Sequence, residues 1–227
     1  MRFSKSRVGT FHNCRLQFKY KYLDGIDDKV ITDDTQFGSM VHRVAELYNP
    51  ASPNWKELVK VVSEYPLQSE EYKKLIPTTL QNLKHFFLKY GSLSAEAETP
   101  LEYQDEFVHV HGIVDRKMVD GDILYIADYK TSRNVSTQYH IFQMKLYTYM
   151  AHKVWGFPVK NIRIVMYYPR PAKFDYARFT AHQMDEFETE LRKELKEIEE
   201  NTNWDPTPGF HCKWCPFNKT AKCSATA

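Results

Sequence analysis

Two strand-like runs joined by a tight turn constrain this chain more than any other stretch. From Gly112 to Ser132 the sequence reads GIVDRKMVDGDILYIADYKTS. VDGD supplies a turn, and ILYIADYK alternates and then runs apolar as a half-buried strand does. That second run closes on Asp128 and Lys130, which are two residues apart and therefore on the same side of the pleat. Asp115 sits in the run before the turn, so pairing of the two runs brings both carboxylates to one edge of a sheet. Two carboxylates so close repel each other, and a divalent cation removes that penalty while favouring oxygen ligands. The residues point to magnesium or manganese held by Asp115 and Asp128. Such an ion can draw in a phosphate oxygen and orient a water, while the Lys130 ammonium offsets negative charge gained in the transition state, the requirements of phosphodiester hydrolysis. Taken alone, Asp128 and Lys130 also read as a solvated ion pair at a strand end.

The surrounding periodicity predicts an α/β domain with a central mixed sheet flanked by helices. SKSRVGTFHNCRLQFKYKYL reads as one capped helix burying Val8, Phe11, Leu16 and Tyr20. A second helix runs from Gly38 to Tyr48 after a Gly-Ser start signal, and residues 54 to 91 are helical with breaks at Pro66 and Pro77. From Pro100 the period shifts to that of strands. A helix over YHIFQMKLYTYMAHKVW, a strand over NIRIVMYYP, a basic and aromatic loop, and the charged helix AHQMDEFETELRKELKEIEE follow. One domain over residues 1–227 is expected: a helical part at 1–95, a sheet core at 96–170, and a helix with a cysteine tail at 171–227.

A content of 42% hydrophobic and 26% charged residues suits a soluble globular chain, and a formal charge of +2 leaves the partner undecided. No signal-peptide core and no run of 18 apolar residues occurs, which predicts a cytoplasmic protein without a membrane partner. In such a compartment four cysteines are expected to be reduced or metal-bound. Cys212 and Cys215 form a C-x-x-C pair with Cys223 close behind, and Cys14 stands alone near the start. Three thiolates need a fourth ligand, which Cys14 supplies if the chain ends meet; otherwise it is a small buried hydrophobe. Four thiolates accept zinc or an iron–sulfur cluster.

Together these residues resemble a family. G-x-x-D at Gly112 to Asp115, followed by D-Y-K at Asp128 to Lys130, resembles the PD-(D/E)XK nuclease signature, with Val114 where the name has Pro. Q-x-x-x-Y at Gln143 and Tyr147 and GSMVH ending on His42 resemble its RecB-like exonuclease branch, which includes the CRISPR-associated exonuclease and the nuclease domain of AddB. The resemblance implies a restriction-endonuclease-like core and a metal-dependent DNA exonuclease. It implies that His42 joins Asp115 and Asp128 as a metal ligand, with imidazole better suited to manganese than to magnesium. Asp115, Asp128, Lys130, Gln143 and Tyr147 would form the catalytic set. Gln143 and Tyr147 lie one helical turn apart, placed to hold a phosphate or steady Lys130, although core packing also accounts for them. Glu102 is a candidate further ligand, with Glu98 and Glu106 competing for that place. Cys14, Cys212, Cys215 and Cys223 would enclose a [4Fe–4S] cluster. Arg15 after Cys14, and the seven residues between Cys215 and Cys223, depart from the family pattern and leave zinc as the alternative.

The implied partner is DNA, single-stranded by preference, in recombination, repair, phage replication or CRISPR adaptation. Rings and cations interleave at Phe18 to Tyr22 and from Tyr167 to Arg178, a chemistry suited to unpaired bases. No phosphate-loop motif for ATP is present, so any unwinding must come from a helicase or a CRISPR-adaptation partner. The alternative is a non-catalytic nucleic-acid-binding or scaffold subunit; the intact Asp115, Asp128 and Lys130 favour the enzyme.

Overall fold

A computed structural model describes residues 1–26, 30–218, 220, 222 and 223. The chain divides into two compact units: Met1–Ile31, Tyr103–His111 and Glu186–Ala227 form the first, Thr32–Glu102 and Gly112–Asp185 the second.

The second unit contains helices α3 (Asp33–Leu47), α4 (Trp55–Ser63), α5 (Glu70–Tyr90) and α6 (Thr137–Trp155). The strands are β1 (Ser94–Gln104), β2 (His109–Asp120), β3 (Ile123–Tyr129), β4 (Ile162–Tyr168) and β5 (Lys173–Ala177), in the sheet order β1-β2-β3-β4-β5. The end of β1 and the start of β2 belong to the first unit. β2 and β3 pair antiparallel around Gly121, whose φ of 57° suits the turn. β3 and β4 pair parallel with α6 as their crossover, and β5 returns antiparallel on β4. The mixed sheet with flanking helices is the α/β architecture expected from the periodicity.

Alternation along the strands gives the sheet two faces. Met118, Ala127, Tyr129, Val165 and Tyr167 join Phe37, Met40, Val41, Val44 and Ala45 of α3 and Phe86 of α5 in one core cluster. Burying such side chains stabilises the unit by about 1.5–3 kcal/mol each. On β3 the intervening positions Leu124, Ile126 and Asp128 are also buried, on the opposite face. Asp128 is thus a carboxylate in an otherwise apolar row.

Several boundaries differ from the periodicity. α3 starts five residues before Gly38, because Thr32 and Thr35 cap each other reciprocally and Asp33 and Asp34 complement the positive helix start. α5 runs through Pro77 unbroken, with its apolar stripe Leu83, Phe86, Phe87 and Tyr90 buried downstream, so packing outweighs the lost hydrogen bond. β1 begins at Ser94, ahead of Pro100. Residues 173–177, expected as loop, form β5.

The first unit contains α1 (Lys5–Asn13), the short α2 (Arg15–Phe18) with a π-turn at Lys19–Leu23, most of α7 (Ala181–Glu199), and a 3-10 turn at Phe210–Trp214. The expected single N-terminal helix is interrupted at Cys14, whose backbone is extended at φ −160°. Phe18, rather than Leu16 or Tyr20, then joins Val8 and Phe11 as a buried residue. Among the described residues no helix is long and apolar enough to cross a membrane.

Candidate active site

β-Register builds the site. Arg116 pairs with Ala127, so one step further Asp115 stands opposite Asp128. The Tyr129 N–H donates to Asp115 Oδ2 at 2.7 Å, pinning that carboxylate to the neighbouring strand. Asp128 is 3% exposed. Its Oδ2 lies 2.5 Å from Lys130 Nζ, and its Oδ1 accepts a hydrogen bond of 2.6 Å from Gln143 Nε2. Lys130 Nζ donates in turn to Gln143 Oε1 at 3.0 Å. One amide therefore satisfies the acid and the amine of the D-Y-K segment at once, and fixes their separation.

Tyr147, one turn along α6, donates its hydroxyl to Ile113 O at 2.8 Å. Its ring explains Gly112, since a Cβ there would stand 2.9 Å from Tyr147 Cε1. The glycine two residues before Val114 lets the helix lie close to β2. Gln143 and Tyr147 are both buried, as core packing requires, yet both also make polar contacts at the sheet end.

α3 brings His42 to the same end, with Nδ1 3.4 Å from Asp115 Oδ1. Glu98 of β1 completes a set in which ligand atoms of His42, Glu98 and Asp115 all lie within 4.8 Å of one another. Glu98 takes the place anticipated for Glu102, which is exposed four residues and roughly 13 Å farther along the strand. Glu98 has a φ of 45°, a left-handed conformation that is uncommon outside glycine and a local departure from regular strand geometry. Nothing in the local sequence ranks Glu98 above Glu102; β1 placement does.

The electrostatics of this cluster match a cation. Burial, reinforced by the Asp115 charge, pushes the Asp128 carboxyl up despite Lys130. Burial and the same charge raise Glu98. For His42, burial alone favours the neutral ring, but the hydrogen bond and charge of Asp115, with the charge of Asp128, outweigh it and lift the imidazole to about 9. Two carboxylates and an imidazole within ligand reach fit a divalent metal, with oxygen donors suited to magnesium and the nitrogen tilting toward manganese.

The cysteines gather in the first unit. Cys14 is buried, and its Sγ accepts a hydrogen bond from Thr207 N at 3.5 Å, so an N-terminal sulfur meets the C-terminal segment. Gly209 N donates to Cys212 Sγ at 3.4 Å. The Cys215 thiol is pushed up by burial, with Cys14 and Cys212 as charged neighbours adding to it. Cys223 lies in a short bridge with Thr220. Four free cysteines in one unit are the donor type that zinc or an iron–sulfur cluster takes, while the donors within ligand reach of one another among the described residues are His42, Glu98 and Asp115.

The aromatic-basic stretches behave differently from the sequence expectation. Phe18, Tyr167 and Tyr168 are buried, Phe174 packs on Tyr167 at 4.4 Å, and the Tyr20 hydroxyl bonds Lys222 O at 2.8 Å. Their rings serve the protein's own packing, because amphipathic elements mix rings and cations for that purpose too. Tyr176 stays half exposed.

Comparison with known proteins follows the same lines. A component of the ATP-dependent helicase/nuclease of Thermoanaerobacter sp. (strain X514) is 23% identical over 157 residues, covering 66% of this chain and 11% of that protein. The CRISPR-associated exonuclease Cas4 of Francisella tularensis subsp. novicida is 26% identical over 110 residues, covering 47% of this chain and 55% of the relative. The chain thus spans about a tenth of the first relative and about half of the second. The crystal structure of a predicted exonuclease from Eubacterium rectale superposes with a TM-score of 0.64 over 99% of this chain and 91% of its own, at 13% identity, a likeness of fold. The family model described as PD-(D/E)XK nuclease superfamily matches residues 2–220, a span that contains every residue of the acidic site and three of the four cysteines. With the sheet, the paired acids and the lysine in that order, this chain belongs to the PD-(D/E)XK nuclease superfamily.

Proposed function

We propose that this chain is a metal-dependent DNA exonuclease hydrolysing phosphodiester bonds at single-stranded ends. The observation that carries the reading is the meeting, at one end of the sheet, of His42, Glu98 and Asp115 with the Asp128–Gln143–Lys130 triad. When bound, magnesium or manganese supplies Lewis-acid polarisation of a phosphate oxygen and lowers the pKa of an attacking water. His42, Glu98 and Asp115 hold it, with Asp128 beside them as the ligand the family pattern implies. Lys130 Nζ offers a fixed positive charge to the phosphorane-like transition state and a proton donor to the departing oxygen. Gln143 holds Lys130 and Asp128 in register, and Tyr147 ties α6 to β2 beneath them. These two act by positioning.

Cys14, Cys212, Cys215 and Cys223 hold a [4Fe–4S] cluster in this reading, with zinc as the alternative, and the centre clips the N-terminal helices to the tail. Similarity to part of a helicase/nuclease component and to a CRISPR-associated exonuclease supports work beside a helicase or a CRISPR-adaptation protein, in recombination, repair, phage replication or adaptation in the cytoplasm.

End-labelled single-stranded DNA with Mn²⁺, incubated with the parent and with Lys130→Ala, tests the enzyme. Metal-dependent shortening by the parent alone supports it; equal, metal-independent degradation by both rejects it. Binding without cleavage by the parent favours a non-catalytic nucleic-acid-binding role. A brown anaerobic preparation with broad visible absorbance supports iron–sulfur, and a colourless one containing zinc replaces it.

A further inference from the structure

The cysteine turn carries two rings that stay exposed. Three aromatic residues lie in FHCKWCPF, and they part company. Phe217 is 3% exposed and packs on Tyr20 at 5.0 Å, whereas Phe210 is 69% and Trp214 59% exposed. The exposed pair sits edge to face at 4.8 Å, and Lys213 Nζ lies over the Phe210 ring at 4.4 Å. Hydrogen bonds close the turn that carries them. Cys212 N donates to Gly209 O at 2.9 Å, Cys215 N to Cys212 O at 3.2 Å, and Gly209 N to the Cys212 sulfur.

Charge identifies the occupant. After Asp205 the sequence has no acidic residue, while Lys213, Lys219 and Lys222 follow. Exposed rings in a cationic, acid-free segment suit a polyanion with stacking faces, because unpaired bases lie on aromatic rings while ammonium groups follow the phosphates. An apolar protein surface gains nothing from that excess of positive charge, and a duplex keeps its base faces covered.

We infer that Phe210 and Trp214, with Lys213, form a stacking platform for single-stranded nucleic acid on the cysteine turn. It deepens the DNA-exonuclease reading, on which it rests for the choice of polymer. The platform is a binding site in its own right and takes part in no bond-breaking step.

Binding is measured by fluorescence anisotropy of labelled oligothymidylate with anaerobically purified Lys130→Ala protein, so that cleavage does not intervene. Phe210→Ala/Trp214→Ala weakens binding about tenfold or more, Trp214→Phe restores most of it when paired with native Phe210, and Lys213→Glu weakens binding and lowers its salt dependence. An abasic strand of equal length binds parent and double variant alike, a result that a merely structural defect does not produce. Unchanged affinity of the double variant for oligothymidylate overturns the proposal, as does equal loss on the abasic strand. Where the double variant fails to fold, the single variants Trp214→Ala and Lys213→Glu, with folding judged by circular dichroism and visible absorbance, carry the same decision. Failure of the nuclease reading shows separately, as absence of metal-dependent cleavage by the parent with binding intact.

Discussion

The acidic cluster and the cysteine cluster gather their donors by opposite means. Asp115 and Asp128 sit on adjacent paired strands, with Asp128 buried in a packed sheet and Gln143 buried beside it. The cysteines come from the two ends of the sequence: Cys14 in the extended break between α1 and α2, Cys212 in the 3-10 turn with Cys215 just after it, and Cys223 in a short bridge. A preformed site stores electrostatic repulsion until an ion arrives, whereas in the proposed reading a site assembled from distant segments would derive its order from the centre it holds.

The largest effect that sharpens this contrast is Lys130→Ala. Removing the one amine held by Gln143 should lower single-turnover cleavage by about a hundredfold or more, as read on end-labelled DNA, and should also lower thermal stability because buried Asp128 loses its partner. Glu98→Gln should weaken Mn²⁺ binding by about 10–100-fold in calorimetry, and Glu102→Gln should leave it close to the parent's; the reverse ranking breaks the assignment of β1.

Loss of one of the four cysteine donors should act on stability. Cys215→Ser should lower the melting temperature by several degrees or more, with the loss in the first unit, as hydrogen exchange at α1 against β3 reports; a uniform loss would erase the distinction between the units. Gly112→Ala drives a methyl group to within 2.9 Å of the Tyr147 ring, and should cost about 1–3 kcal/mol in denaturant unfolding while also lowering activity.

The smallest effect is that of pH. His42 is raised from its ordinary 6.5 to about 9, so in metal-free protein its contribution is complete below pH 6.5 and is lost as pH rises through about 9. Screening of the partly exposed ring limits this to on the order of 1 kcal/mol. The melting temperature of metal-free protein should fall across that window. Mn²⁺, which needs the neutral ring, should bind more tightly across the same window; a flat profile for both breaks the link between His42 and the metal.

Legibility follows the range of the interactions. The β2–β3 hairpin is readable because its alternation and its Asp-Gly turn are local signals, and Asp115, Asp128 and Lys130 come with it. Thr32 as a cap and α5 continuing through Pro77 are not, the first because a reciprocal threonine pair competes weakly with a glycine signal, the second because burial of Phe86 and Phe87 lies outside the proline's neighbourhood. Glu98 is one of three acids in competition, and no local pattern separates it from Glu102.

The sequence by itself determined the hairpin with its acids and amine, most of the elements around it though not β5, and the set of four thiols, since these depend on residue type and short spacing. Tertiary structure alone decided that β1 delivers Glu98, that α3 brings His42 to Asp115, that Gln143 bridges Asp128 and Lys130, and that Phe210 and Trp214 remain outside while Phe217 turns in. Each is a contact between residues distant in the chain or a choice between equivalent rings, and its energy comes from packing and register, to which spacing along the chain is blind.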